Sequence, residues 1–166
     1  HYFNSGNPAK DFNPAGPQHA QVAGCAGVLD YFDELHQHHF GASDKSSNAR
    51  LDEIHQLVLQ HENELAAPIL DFIEHHADLR LLGKTHTRDN DRAPTIAFKP
   101  LKQSAAELTV KLQDAGIGTE HGNFYAHRLI SDLGIDPEDG VIRLSLVHYG
   151  NQDEVDRILR ALESAL

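Results

Sequence analysis

The sequence contains no methionine and a single cysteine, Cys25, in 166 residues. One cysteine cannot close an intrachain disulfide, which fits a reducing, cytoplasmic compartment. Cys25 stands among Ala, Gly and Val, the surroundings of a small core residue rather than of a nucleophile. The absence of an initiator methionine fits a processed or tagged chain, or a piece of something longer. No apolar run approaches the length of a membrane span. Residues 1–10 are polar and rich in Asn, Gly and Pro, unlike a signal peptide. Positive charge is scarce: 14 Lys and Arg face 25 Asp and Glu, for a formal net charge of −11. That balance argues against general binding to a nucleic-acid backbone.

What is present reads as one α/β chain of ordinary globular composition. Prolines and glycines punctuate residues 1–20, an irregular lead-in. From Gln21 the spacing of Val22, Cys25, Val28, Leu29, Phe32 and Leu35 predicts a helix with one buried stripe, stopped by Gly41. A second, long helix is expected from about Asn48 to His76, with Pro68 kinking or dividing it. Residues 79–82 and 95–99 read as strands. Ser104 and Glu107 form a capping box for a helix that stops at Gly116. A short strand over 117–120, a turn at His121-Gly122-Asn123 and a short helix over 124–133 follow. Asn151 and Glu154 cap a last helix, with Val155, Ile158, Leu159 and Leu162 on one face. Residues 79–166 thus form a small sheet with helices packed on it, after long connecting helices over 21–78.

The stretch with most chemical content is Val141-Ile142-Arg143-Leu144-Ser145-Leu146. Strand alternation puts Ile142, Leu144 and Leu146 on one face and Arg143 and Ser145 on the other. A guanidinium stays charged and offers a planar donor fork that fits a carboxylate or phosphate. An edge-strand arginine in solvent or an ordinary surface ion pair is the plainer alternative. Thirteen histidines invite a metal reading. His36, His38 and His39 carry no convincing ligand motif, however, and read better as solvated residues at a helix C-terminus. No metal site is assigned. Arg88 and Arg92 read as surface charge in the turn region over 84–93.

That strand, followed by Tyr149-Gly150-x-x-Asp153-Glu154-Val155-Asp156, resembles the C-terminus of class V aminotransferases. The similarity is strongest to cysteine desulfurase-like enzymes of fold type I, which use pyridoxal 5'-phosphate (PLP). It extends to Gly116-Ile117-Gly118, to Gly122-x-Phe124-Tyr125-Ala126 and to Asn13-Pro14-Ala15-Gly16-Pro17-Gln18-His19. The resemblance implies that residues 1–20 are the tail of a PLP-binding large domain, 21–78 connecting helices and 79–166 the small C-terminal domain. It implies an amino-acid substrate, a homodimer and a preceding large domain bearing the Schiff-base lysine, which none of the lysines here matches. The fragment alone is then expected to be inactive.

The same resemblance makes Arg143 the clamp for the substrate's α-carboxylate. His121 and Tyr125 fall in the active-site loop as further substrate contacts, while Glu120 is either a contact or part of a polar turn. Gly16 and His19 fall near the cofactor phosphate. Two departures stand out. Tyr125 falls near the place of the desulfurase's nucleophilic cysteine, and Ala15-Gly16 stands where many relatives have a Gly-Thr pair whose hydroxyl helps bind the phosphate. The reading is therefore a lyase, epimerase or aminotransferase without cysteine chemistry. The alternative is a non-catalytic binding or dimerisation module derived from the small domain.

Overall fold

The computed structural model describes residues 6–8, 16–88 and 92–166. Asn13-Pro14-Ala15 and most of the lead-in lie outside the described residues. Contacts divide the chain into two units, separated between Gln56 and Leu57.

In the first unit, α1 spans His19–Phe40 and α2 begins its run over Ser47–His75. Gly41 ends α1 at φ 78, and its N–H donates to Gln37 O. The apolar stripe of α1 exists, but it is not buried: Val22 is 62%, Val28 54% and Leu29 57% exposed. Cys25 is exposed too, which corrects its reading as a core residue. Among the described residues nothing covers that face. His36 is the buried residue of α1 instead, at 2% exposure. This corrects the expectation for His36, while His38 and His39 are exposed in the last turn as expected. Its Nε2 lies 3.0 Å from Glu53 Oε2, and its ring packs on Phe40. Lys45 donates to the other Glu53 oxygen, and these two partners hold the Glu53 carboxyl below its usual range.

In the second unit, α2 runs through Pro68 without interruption. A proline there removes one N–H donor from the ladder. Burial of Leu65, Ala66, Ile69 and Leu70 on either side holds the helix to the core and keeps it whole. Four strands follow among the described residues: β1 (Leu79–Leu82), β2 (Thr95–Pro100), β3 (Glu120–Gly122) and β4 (Val141–Ser145). They form one antiparallel sheet in the order β1-β2-β4-β3. The helices are α3 (Ala105–Asp114), α4 (His127–Asp132) and α5 (Gln152–Ala165). One sheet face carries Ile96, Phe98, Ile142 and Leu144 into the main core, with Leu108 and Leu162 from α3 and α5. The other face carries Val141, Leu82 and Ala97 against Ile130, Ile135 and Phe124. Each face is thus fed by alternate residues of the same strands. The α/β architecture is the one expected.

Both capping boxes form, at Ser104/Glu107 and at Asn151/Glu154. The strand expected over 117–120 forms three residues later, and the reason is local. Gly116 N–H donates to Gln113 O and Ile117 N–H to Leu112 O, the paired bonds of a Schellman stop. Ile117 is buried as its apolar partner and is unavailable to a ladder. Helix α4 ends the same way, through Gly134 to Ser131 O and Ile135 to Ile130 O.

Residues 123–140 loop out between β3 and β4 and are pinned at their end. Asp139 accepts the N–H groups of Ala105 (2.9 Å) and Ala106 (3.2 Å) and an ion pair from Lys99. Burial disfavours its charge, yet Lys99 and the two amides outweigh that and lower its pKa from 3.8. The carboxylate's contribution to stability is complete above that range and is lost as pH falls through the lower folded value. Asp139→Asn should cost about 1–2 kcal/mol in urea unfolding at neutral pH. The deficit should vanish in acid, where the wild type is itself protonated.

Candidate functional site

Arg143 lies in β4, the strand between β2 and β3. Register sets it opposite Ala97 of β2 and Glu120 of β3. Its neighbours Ile142 and Leu144 are buried in the main core, so its own side chain falls on the other face, where it is exposed. The guanidinium carbon sits 4.1 Å from the centre of the Phe124 ring. Among the described residues it has no carboxylate partner. An open groove of about 340 Å³ begins here, lined by Gln113, Gly118, Thr119, Glu120, Arg143 and Ser145. Its walls are tied to the sheet: Thr119 Oγ1 donates to Arg143 O at 2.8 Å, and Gln113 Nε2 to Thr119 O at 2.9 Å. A second, more apolar groove of about 230 Å³ shares Gly118 and Ser145 with it and continues past Leu146 and Tyr149 towards Arg157.

The turn after β3 places the aromatic residues. Ala126 N–H donates to Asn123 O at 2.8 Å, closing a four-residue turn over 123–126. Its two central residues, Phe124 (φ 48) and Tyr125 (φ 64), are both left-handed, the geometry of a type I′ turn. Non-glycine residues rarely occupy it. Asn123 holds the turn by accepting the Tyr125 N–H (3.0 Å) and donating to Pro137 O (3.2 Å). Tyr125 projects into solvent at 106% exposure, so its ring adds no burial to offset the strain. Tyr125→Gly should therefore cost no stability and gain up to about 1 kcal/mol in urea unfolding. A clear loss would show that the ring stabilises the fold.

The residues expected from sequence are distributed unevenly. Arg143 and the Tyr125 turn meet on one face through Phe124. His121 pairs with Ile142, so it points to the opposite face. It is half-buried, and its Nδ1 lacks a hydrogen-bond partner. Glu120 is the residue across from Arg143. Gly16 (φ 91) and His19, the first residue of α1, belong to the first unit. Arg92 is more than surface charge, because it donates to the carbonyls of Lys84 and Thr95. Phe124 was missed as a site residue. Its signal was Asn123, whose side chain can accept the N–H two residues on and so marks a tight turn.

Known proteins share this fold. The structure superposes on the cysteine desulfurase CsdA of Escherichia coli with a TM-score of 0.65 at 20% identity, over 91% of this chain and 31% of that one. A NifS-like protein of Rickettsia africae matches with a TM-score of 0.55 at 16% identity, over 72% of this chain and 31% of that one. At these identities the likeness is one of fold. In sequence, the aminotransferase-like protein FGM3 of Gibberella zeae is 35% identical over 113 residues, which are 66% of this chain and 27% of that protein. The chain thus spans under a third of the length of these relatives. The family model described as aminotransferase class-V matches residues 5–158, and the chain belongs to the class V aminotransferase family.

Proposed function

We propose that this chain is part of a PLP-dependent enzyme that acts on an amino acid, with Arg143 holding the substrate's α-carboxylate. The observation that carries the reading is the Arg143 guanidinium, which is exposed at a groove and has no carboxylate partner among the described residues. A charged fork in that state is suited to a ligand carboxylate. Clamping one end of the substrate fixes the orientation of Cα.

The cofactor's phosphate finds compatible groups in the first unit. Gly16 has open space where a side chain would stand. Helix α1 starts without a side-chain cap and without an acidic residue in its first turn. Backbone N–H groups and a positive dipole end are thus available to an anion, with His19 beside them. PLP bound there supplies an electron sink for chemistry at Cα, and the lysine that anchors it comes from the large domain. Tyr125 replaces a thiol with a phenol, so sulfur transfer through that loop position is not part of the proposal. Tyr125 is a further substrate contact, His121 is not one because it lies on the sheet face opposite Arg143, and the enzyme works as a homodimer.

The test is Arg143→Ala in the full-length protein. Amino-acid affinity should fall while the visible absorbance of bound PLP persists. Unchanged affinity would sink the clamp. A non-catalytic module remains the second reading, favoured by the uncovered apolar stripe of α1. A full-length protein that stays colourless after PLP addition would select it.

A further inference from the structure

We propose that Phe124 is a positioning residue, a rigid aromatic shelf that orients the Arg143 guanidinium for a carboxylate. The inference rests on the clamp reading and deepens it. Register places Glu120 directly across from Arg143, the obvious partner for a charge. The guanidinium instead lies 4.1 Å from the centre of the Phe124 ring, and no ion pair to Glu120 forms among the described residues.

The difference matters chemically. A carboxylate would occupy the planar donor edge of the guanidinium, the edge a substrate needs. An aromatic ring engages the flat face by cation–π attraction and leaves the edge open. The shelf is fixed in place. Phe124 packs beside Ile130, Ile135 and Val141. Its backbone is held at φ 48 by the closed turn and by both Asn123 side-chain bonds. A strained, fully braced residue with its ring on a functional charge is a mark of pre-organisation.

The experiment replaces Phe124 in the full-length, PLP-loaded protein with 4-fluoro-, 3,5-difluoro- and 3,4,5-trifluorophenylalanine, alongside Phe124→Tyr and Arg143→Ala. Fluorine drains the ring's negative face at nearly constant shape, so packing and folding are preserved. The readout is the ratio of calorimetric affinities for L-amino acids and their primary carboxamides, taken for the tightest of the common twenty. The ratio should fall stepwise with fluorine number, by about tenfold for the trifluoro ring. Phe124→Tyr should hold the wild-type ratio. A flat ratio across the fluorine series, with Arg143→Ala still lowering it, would overturn the shelf and leave the clamp standing. A ratio unchanged by Arg143→Ala would overturn the clamp and the shelf with it.

Discussion

Gly140→Ala should unfold or severely destabilise the small sheet, by about 4 kcal/mol in urea denaturation. A Cβ at Gly140 would lie 2.1 Å from the Gly122 carbonyl carbon and 2.2 Å from its oxygen. Those are backbone atoms of β3 and cannot swing aside as a side-chain tip would. The φ of 64 adds a left-handed penalty for any L side chain. Forced overpacking costs about 1–3 kcal/mol and the left-handed conformation about 1–2 kcal/mol more. Gly118→Ala is the matched control. Its Cβ would meet nothing within 4 Å, so the change should stay within about 0.5 kcal/mol. If both variants unfold at the same urea concentration, the apposition of Gly122 and Gly140 does not hold the loop.

Arg143→Ala should weaken amino-acid binding about a hundredfold. A bidentate pair to a carboxylate is a charge-assisted interaction, and its removal costs about 3 kcal/mol, which is about two decades of affinity. Little structural collapse should accompany it, because the side chain is exposed, lies outside the main core and meets the Phe124 ring at 4.1 Å. Arg143→Lys keeps the charge but gives up the planar fork and should fall between, about tenfold below wild type. Equal losses for Lys and Ala would make fork geometry, rather than charge, the essential property. On the clamp reading, the visible band of PLP should be the same in all three proteins.

These expectations could be framed because much of the second unit is written locally. The capping boxes depend on residues three apart, and both formed. The alternation in β4 depends on neighbours, and it placed Arg143 on the open face. The failures share a cause, which is dependence on partners remote in sequence. The stripe on α1 has helical spacing, but spacing does not supply a cover, and Cys25 and Val28 stay exposed. His36 is buried because Glu53, seventeen residues on, meets it. The onset of β3 was displaced by a helix stop that also consumed Ile117. The shelf at Phe124 was hardest to read. It needs the turn at 123–126, which is braced by Pro137 and closed below by Gly140.

That closure has a consequence for how such a loop diversifies. Two glycine backbones in contact act as a drawstring below residues 123–139, so the tip hangs from a neck that the sheet alone defines. Side chains at the tip can then be exchanged without re-registering a strand. The neck resists change so that the tip can accept it.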